Sequence, residues 1–382
     1  MRKEVVNSKS LLKISRNNQG ERKTIKYFDY GLLAMIILIL VFGLVMLYST
    51  SAYTASTLYN DPAHFLKRQA AAAAVGFAGM MFISYIPYKI WARFAVPIYV
   101  IALVLCVAVN FVGTDMGTDS SRWFRIGPIT FQPSELAKIA AIVFIASLVS
   151  DTWKRMKNTV VVIVSFAVML PLVISIAITN LSTAVVVMGI VFIMLFVASP
   201  KKKVFAMLTG GGAAIIAFYI MAAGYRGRRV MIWLHPEDFD EGFQTMQGLY
   251  AIGAGGLFGK GLGGSVQKLG VLPVAQNDMI FAIICEELGV FGAICVIVLY
   301  LILLWRLLYI ANHAKDMLGS FLVLGIMAHL AIQVILNIAV VTNSMPNTGV
   351  ILPLISYGGT SVMLLLWELG IALSVARGIP ME

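Results

Sequence analysis

The chain predicts an all-α fold: a polytopic integral membrane protein of about ten spanning helices, with one large loop between the seventh and the eighth. Three observations carry that prediction. Apolar residues make up 60% of the 382 and charged ones only 12%, where a soluble domain has about 25% charged. Mean hydropathy is +0.89, and the apolar residues fall into runs of the ~20 residues that a span needs. Only Tyr225 to Gly289 forms a long polar interruption.

The runs lie near 30–50, 66–87, 92–112, 134–150, 159–178, 181–199, 204–224, 279–305, 317–342 and 350–376. Lys67-Arg68 opens the second and Glu135 with Lys138 the fourth. Tyr30 to Tyr48 is a full span, preceded by a tail too long for a signal peptide and followed by no small-residue cleavage site. Residues 1–28 therefore form a basic cytoplasmic tail, and 29–382 a single membrane domain with an extracytoplasmic loop at 225–278.

Orientation follows from the bases. With the N-terminus in the cytoplasm, 19 of the 29 lysines and arginines fall on the cytoplasmic side, which places both termini there. The net charge of +11 is then a topology signal with affinity for anionic lipid heads, and no nucleic-acid partner is expected. Cys106, Cys285 and Cys295 sit in apolar runs without metal-ligand spacing and read as small buried hydrophobes. No metal-ligand set is assigned.

Ten bases remain on the outside, and they cluster. Arg226, Arg228 and Arg229 follow the seventh span, Lys260 and Lys268 lie further along the loop, and Arg122, Arg125 and Lys138 belong to the third-to-fourth connection. Two readings are open. The arginines pair with Glu237, Asp238, Asp240 and Glu241 nearby, or they bind a phosphate or pyrophosphate, which the guanidinium fork suits.

In the third-to-fourth connection, Gln132-Pro133-Ser134-Glu135 is a helix start, with proline in the first turn and a carboxylate near the positive end of the dipole. Glu135 and Lys138 are three apart and can pair. Lys138 stands inside an apolar helix, where ionisable groups face a cavity or a partner. Trp123, between Arg122 and Arg125, is either an interfacial aromatic or a stacking surface for a sugar.

Asp278 opens the apolar run of span eight, with Glu286 and Glu287 about 12 Å of helix further in. Three carboxylates at and below the outer face need a reason, because buried charge is costly. A helix cap and hydrogen-bonded packing is one; a general base acting on a hydroxyl is the other. The glycine-rich run Gly253 to Gly264 lacks P-loop spacing, and no Ser or Thr follows its lysine, which excludes nucleotide binding. Residues 343–349 break the chain before span ten, Pro353 with 356–359 breaks that span itself, and Gln333 with Asn337 gives span nine a polar stripe.

The segments R-W-F-R-I-G, F-Q-P-S-E-L-A-K, Q-G-L-Y-A-I-G-A-G-G-L-F-G-K-G-L-G, N-D-M-I-F-A-I-I-C-E-E-L-G and N-T-G-V-I-L-P-L-I-S-Y-G-G-T-S resemble the SEDS family (shape, elongation, division and sporulation; the FtsW/RodA/SpoVE proteins). The resemblance covers all ten spans in order and is closer to the cell-division and sporulation branch. It implies a peptidoglycan glycosyltransferase that polymerises lipid II, a disaccharide-peptide on undecaprenyl pyrophosphate, at the outer face of the bacterial cytoplasmic membrane, at the division septum or in sporulation. It implies that Asp278 is the essential aspartate, and it matches Trp123 and Lys138 to family motif positions. Two departures stand out: Asn277 replaces a common threonine, and Thr179-Asn180 replaces a common Pro-Asp, so Asn180 carries no acid or base role.

The same resemblance implies an inverting single displacement with Asp278 as general base. The pyrophosphate leaving group then needs positive charge from Arg122, Arg226, Arg228, Arg229, Lys138 or a divalent cation, Mg or Mn. Glu135 and Lys260 complete the expected substrate-binding set, and no organic cofactor is expected. The implied partners are a class B penicillin-binding protein transpeptidase and other divisome membrane proteins. A lipid-precursor flippase or transporter and a non-catalytic divisome scaffold are the alternatives. The concentration of charge at one face, without matched broken helices in two halves, weighs against the transporter.

Overall fold

The computed structural model describes residues 28–114, 122–127, 129–211 and 224–379. Helix α1 (Tyr30–Tyr59) is followed by α2 (His64–Tyr85), a short α3 (Lys89–Arg93) and α4 (Ala95–Val112). A hairpin of β1 (Phe124–Ile126) and β2 (Ile129–Phe131), in register Phe124 to Phe131, leads into α5 (Pro133–Thr152). Then come α6 (Thr159–Thr179), α7 (Leu181–Ala198) and α8 over 202–211. Two shorter helices, α9 (Gly224–Leu234) and α10 (Phe243–Gly255), precede α11 (Ile280–His313), α12 (Met317–Val341) and α13 (Gly359–Ala376).

Polar residues at the boundaries set where the helices begin. The Asp29 carboxylate accepts from the Leu32 amide at 2.8 Å and pairs with Arg306 of α11 at 2.9 Å. Pro133 starts α5, while Asn158, Asn180 and Asp316 cap α6, α7 and α12 through their side chains, each relieving a free N-terminal amide.

Among the described residues, eight helices are long and apolar enough to cross a membrane: α1, α4, α5 with the turn after it, α6, α7, α11, α12 and α13. The expected ten differ at two places. Helix α2, at 22 residues, is about 33 Å long, but Lys67, Arg68 and its alanines and glycines leave it less apolar than the others. The expected seventh span, 204–224, lies largely outside the described residues, as does the basic tail.

Span ten is also shorter than its apolar run. Residues 342–358 are not helical, and α13 starts at Gly359. This stretch reaches membrane depth: a Cβ on Gly43, near the middle of α1, would stand 2.5 Å from the Leu354 carbonyl oxygen. Backbone there survives only where protein satisfies it. Gln69 of α2 donates to the Ser356 carbonyl and accepts from the Gly358 amide, both at 3.1 Å. The Leu352 amide donates to the Ser356 hydroxyl at 2.8 Å, and the Tyr300 hydroxyl donates to the Pro353 carbonyl.

Helices α12 and α13 are the most enclosed spans, while α4 and α11 face outward along most of their length. Helices α13 and α2 meet closely because glycines let their backbones approach: a Cβ on Gly370 would stand 2.7 Å from the Met80 carbonyl oxygen. Alternation of direction brings the end of α1, the start of α5, the junction of α6 and α7, the start of α11 and the end of α12 to one end of the bundle. Asp278 is at that end.

Candidate active site

Asp278 closes the turn that precedes α11, and three segments converge on it. From the end of α12, the Asn337 amide donates to the Asp278 carbonyl at 2.7 Å and to the Val350 carbonyl at 2.8 Å. From the first turn of α10, the Gln244 side chain hydrogen-bonds the Asp278 carboxylate. From the stretch after α12, Asn347 donates to Gln244 Oε1 at 2.9 Å, and a Cβ on Gly349 would lie 3.9 Å from Asp278 Oδ2. Burial pushes the Asp278 carboxyl above its ordinary range, with the Gln244 bond acting the other way. Among the described residues it is the only carboxylate not fully exposed that has no ion-pair partner. Asn277 Oδ1, on the residue before Asp278, and Asn337 Oδ1 and Thr348 Oγ1, on the segments that converge on it, are buried without a protein partner, which is unusual for polar atoms inside a protein. The arrangement can take a proton from a hydroxyl.

Glu286 and Glu287 do different work. Gly289 has φ 69°, a left-handed conformation suited to glycine, and divides α11 into two helical pieces. The glycine-rich run takes up the backbone groups freed there. Lys260 and Gly261 amides donate to the Glu286 and Glu287 carbonyls at 3.0 and 2.9 Å, and Val290 and Phe291 amides donate to Gly256 and Leu257 at 3.0 and 3.1 Å. The side chains lock the same joint. Glu286 pairs with Lys260 at 2.7 Å and accepts from Ser265, and Glu287 pairs with Lys268 at 2.6 Å and accepts from Ser49 at 2.8 Å. Lys260, expected to bind substrate, is thus engaged by a fully buried carboxylate.

The remaining expected residues lie in two groups. Glu135 and Lys138 pair at 2.9 Å and are buried, and Ser361, in the first turn of α13, donates to Glu135 at 2.6 Å. No hydrogen bond or ion pair joins this pair to Asp278 among the described residues; the segment 342–361 connects the two. Arg122 donates to the Thr179 carbonyl at 2.9 Å, and Trp123 is half-buried with its backbone bridged to Thr114. Asn180 caps α7 by accepting from the Thr183 amide at 3.1 Å.

On α9, Arg228 pairs with Glu241 at 2.8 Å, both exposed, so one of the expected acidic partners is realised. The side chains of Arg226 and Arg229 lie outside the described residues. Their helix is docked beside the site, because Trp233 donates to the Asn343 carbonyl at 3.0 Å.

Sequence reading passed over three features. Gln244 gives no local signal for its bond to Asp278. Arg68 hydrogen-bonds the Tyr357 side chain, whose backbone amide donates to the Gln276 carbonyl at 2.9 Å, two residues before Asp278. His329 and Glu368 form a buried pair at 2.9 Å between α12 and α13. Cys295, expected to be buried, is exposed on the outward side of α11. His235, Glu237 and Asp238, in the turn before α10, offer three atoms within 4.8 Å of one another, all exposed.

Comparison with known proteins sets this geometry in a lineage. The family described as "Cell cycle protein", which comprises FtsW, RodA and SpoVE, matches residues 30–379. Stage V sporulation protein E of Bacillus subtilis is 39% identical over 357 residues, covering 91% of this chain and 97% of that one. The probable peptidoglycan glycosyltransferase FtsW of Trichlorobacter lovleyi is 36% identical, covering 92% and 94%. Among solved structures, a chain of a peptidoglycan synthase complex that coordinates polymerisation and crosslinking superposes with a TM-score of 0.76 at 27% identity, covering 93% and 99%. Rod shape determining protein RodA of Thermus thermophilus gives 0.67 at 27% identity, covering 93% and 98%.

Proposed function

Since the chain belongs to the FtsW/RodA/SpoVE family, we infer that it is a peptidoglycan glycosyltransferase serving cell division or sporulation. Its substrate is lipid II, and the Asp278 end of the bundle faces the outside of the cytoplasmic membrane, with both termini in the cytoplasm. The observation that carries the site is Asp278: a shielded carboxylate without a counter-ion among the described residues, at the mouth of the bundle, among polar atoms that lack protein partners.

Asp278 takes the proton from the 4-hydroxyl of the acceptor sugar. That oxygen attacks the anomeric carbon of the donor from the face opposite the lipid pyrophosphate, so α becomes β in one displacement. No covalent nucleophile is required, and a single essential carboxylate suffices. The departing pyrophosphate takes the bonding pair and needs cations around it. Arg122, Arg226, Arg228, Arg229 and Lys138, ordered by Glu135, are the protein's candidates, and Arg68 joins them through its place beside the Asp278 turn. Lys260 is instead held by Glu286. Trp123 offers a stacking face for a sugar. A divalent cation, Mg or Mn, when bound would neutralise pyrophosphate charge; among the described residues no group of three or more His, Cys, Asp or Glu side chains gathers at Asp278 to hold it.

A class B penicillin-binding protein is the natural partner, since the structural relative works within a complex that couples polymerisation to crosslinking. The deciding experiment is polymerisation of lipid II by the purified full chain. Glycan strands from the chain, alone or with its transpeptidase, support the enzyme reading. Binding or translocation of lipid II without polymer in either condition would replace it with a carrier.

A further inference from the structure

A polar route from the stretch after α12 to the Asp278 carboxylate runs through two amide side chains whose polarity is fixed. Asn347 has only its Nδ2 free to donate, because its Oδ1 accepts from the Gly349 amide at 3.1 Å. That donor goes to Gln244 Oε1 at 2.9 Å. With its oxygen occupied, Gln244 turns its amino group toward the 273–278 turn, where Nε2 donates to the Pro273 carbonyl at 3.3 Å and the side chain bonds the Asp278 carboxylate. A primary amide has one acceptor end and one donor end. The Asn347 contact therefore decides which end Asp278 meets.

We infer that Gln244 is a positioning residue for Asp278, and that Asn347 sets the direction of its amide so that a donor faces the base. The inference rests on the reading of Asp278 as general base. A donor on the carboxylate helps fix the plane of the group, while its remaining lone pairs stay available to the acceptor hydroxyl. It also favours the ionised form that a base requires, against the desolvation of the site.

Among the described residues, no charged side chain competes for this task from the segments that touch the carboxylate; the side chains of Arg226 and Arg229, on α9 beside it, lie outside the described residues. The start of α10 (243–247), the turn 273–277, the end of α12 (337–341) and the stretch 343–350 contain no titratable side chain. The described bases elsewhere on the loop are committed: Lys260 to Glu286, Lys268 to Glu287 and Arg228 to Glu241.

The chemistry gives a test that simple packing would not reproduce. Asn347→Asp replaces the donor by an acceptor. Gln244 must then turn its amino group to that carboxylate and present its oxygen to Asp278. Asn347→Ala merely removes the anchor. Asn347 is exposed, so both variants are expected to keep the fold, and thermal unfolding of the purified chain checks this.

Initial rates of lipid II polymerisation would be measured against pH for the parent, both Asn347 variants, Gln244→Leu and Asp278→Asn. The expected order of kcat is parent, Asn347→Ala, then Gln244→Leu and Asn347→Asp, the last two down by about 10- to 100-fold, within the range for base catalysis. KM should stay within about twofold, as expected when a transition-state interaction is lost. The acid limb should move to higher pH in Gln244→Leu and Asn347→Asp.

Equal rates and an unshifted acid limb for Asn347→Asp and Asn347→Ala, with Asp278→Asn inactive, would overturn the amide relay and leave the base assignment standing. Parental activity in Asp278→Asn would instead remove the base assignment on which the relay depends.

Discussion

Asp278 and the Glu286–Glu287 pair stand at opposite ends of the same short helical piece, before the break at Gly289. The two glutamates are fully buried, and each has a lysine within 2.7 Å and a serine hydroxyl besides. Asp278 has its own backbone amide and the Gln244 side chain, and among the described residues no cation. Twelve ångströms of helix, roughly, thus separate carboxylates that hold a joint closed from one left short of partners. Buried charge is costly unless paired, so the paired end is accounted for by architecture. The unpaired end needs a ligand or a reaction.

The largest expected effect lies at the unpaired end. Asp278→Asn should lower lipid II polymerisation by about 10²- to 10⁴-fold, the usual worth of a positioned base, without loss of fold. Burial raises this carboxyl in the folded protein, so folding favours the protonated form. The stability tied to that proton is present at low pH and is lost as pH rises through the folded value. The amide variant should therefore unfold at the same temperature as the parent or higher at neutral pH. For the same reason, the acid limb of the parent's activity should lie above the usual carboxylate range. A limb at the ordinary aspartate value would put the base elsewhere.

The paired end should answer in stability. Glu287→Leu leaves Lys268 buried without its partner, which typically costs about 3–5 kcal/mol. Glu287→Leu with Lys268→Leu should recover most of that loss in thermal unfolding. A stably folded Glu287→Leu protein as inactive as Asp278→Asn would erase the distinction between the two ends.

The Glu135–Lys138 pair sits between these cases, being both buried and near the site. Lys138→Met alone should lose most activity. With Glu135→Leu added, thermal stability should return while the rate stays down by at least about tenfold, which corresponds to 1.4 kcal/mol at the transition state. Normal polymer yield from the folded double variant would make the pair architectural like the glutamates.

The smallest effect is expected at the surface. Arg228→Ala breaks an exposed pair with Glu241 and should change stability by no more than about 1 kcal/mol. Its effect should instead be a raised KM for lipid II. A cysteine at the same position should react with an impermeant reagent in intact cells; reaction only after permeabilisation would reverse the orientation.

Much of this was legible in the sequence because it is local. Pro133 starting a helix, Glu135 pairing three residues on with Lys138, and Asp278 ending the loop just before Ile280 all follow from short spacings. The partner of Lys260 was not legible, since Glu286 lies 26 residues away across a turn only the folded glycine run creates. Cys295 was misjudged for a different reason. Lipid is as apolar as a protein core, so an apolar helix does not reveal which side faces neighbours. Gln244 was hidden because an amide near a helix start looks the same whether it meets water or a carboxylate. The unwound stretch before α13 was legible too, because Pro353 and residues 356–359 interrupt the apolar run 350–376, and the helix starts at Gly359.

The unwound stretch before α13 has a consequence for how the protein is made. Its carbonyls and amides depend on Gln69, Tyr300 and Asn337, which belong to three earlier helices. A nascent chain that leaves the insertion machinery one apolar segment at a time cannot settle this stretch in lipid until those helices have gathered. The last span is therefore a checkpoint on the completeness of the bundle. Replacing Gln69 by leucine should leave early spans inserted but make the final one accessible to protease or to membrane quality control, and a pulse-labelled protection assay would show whether the defect is confined to that span.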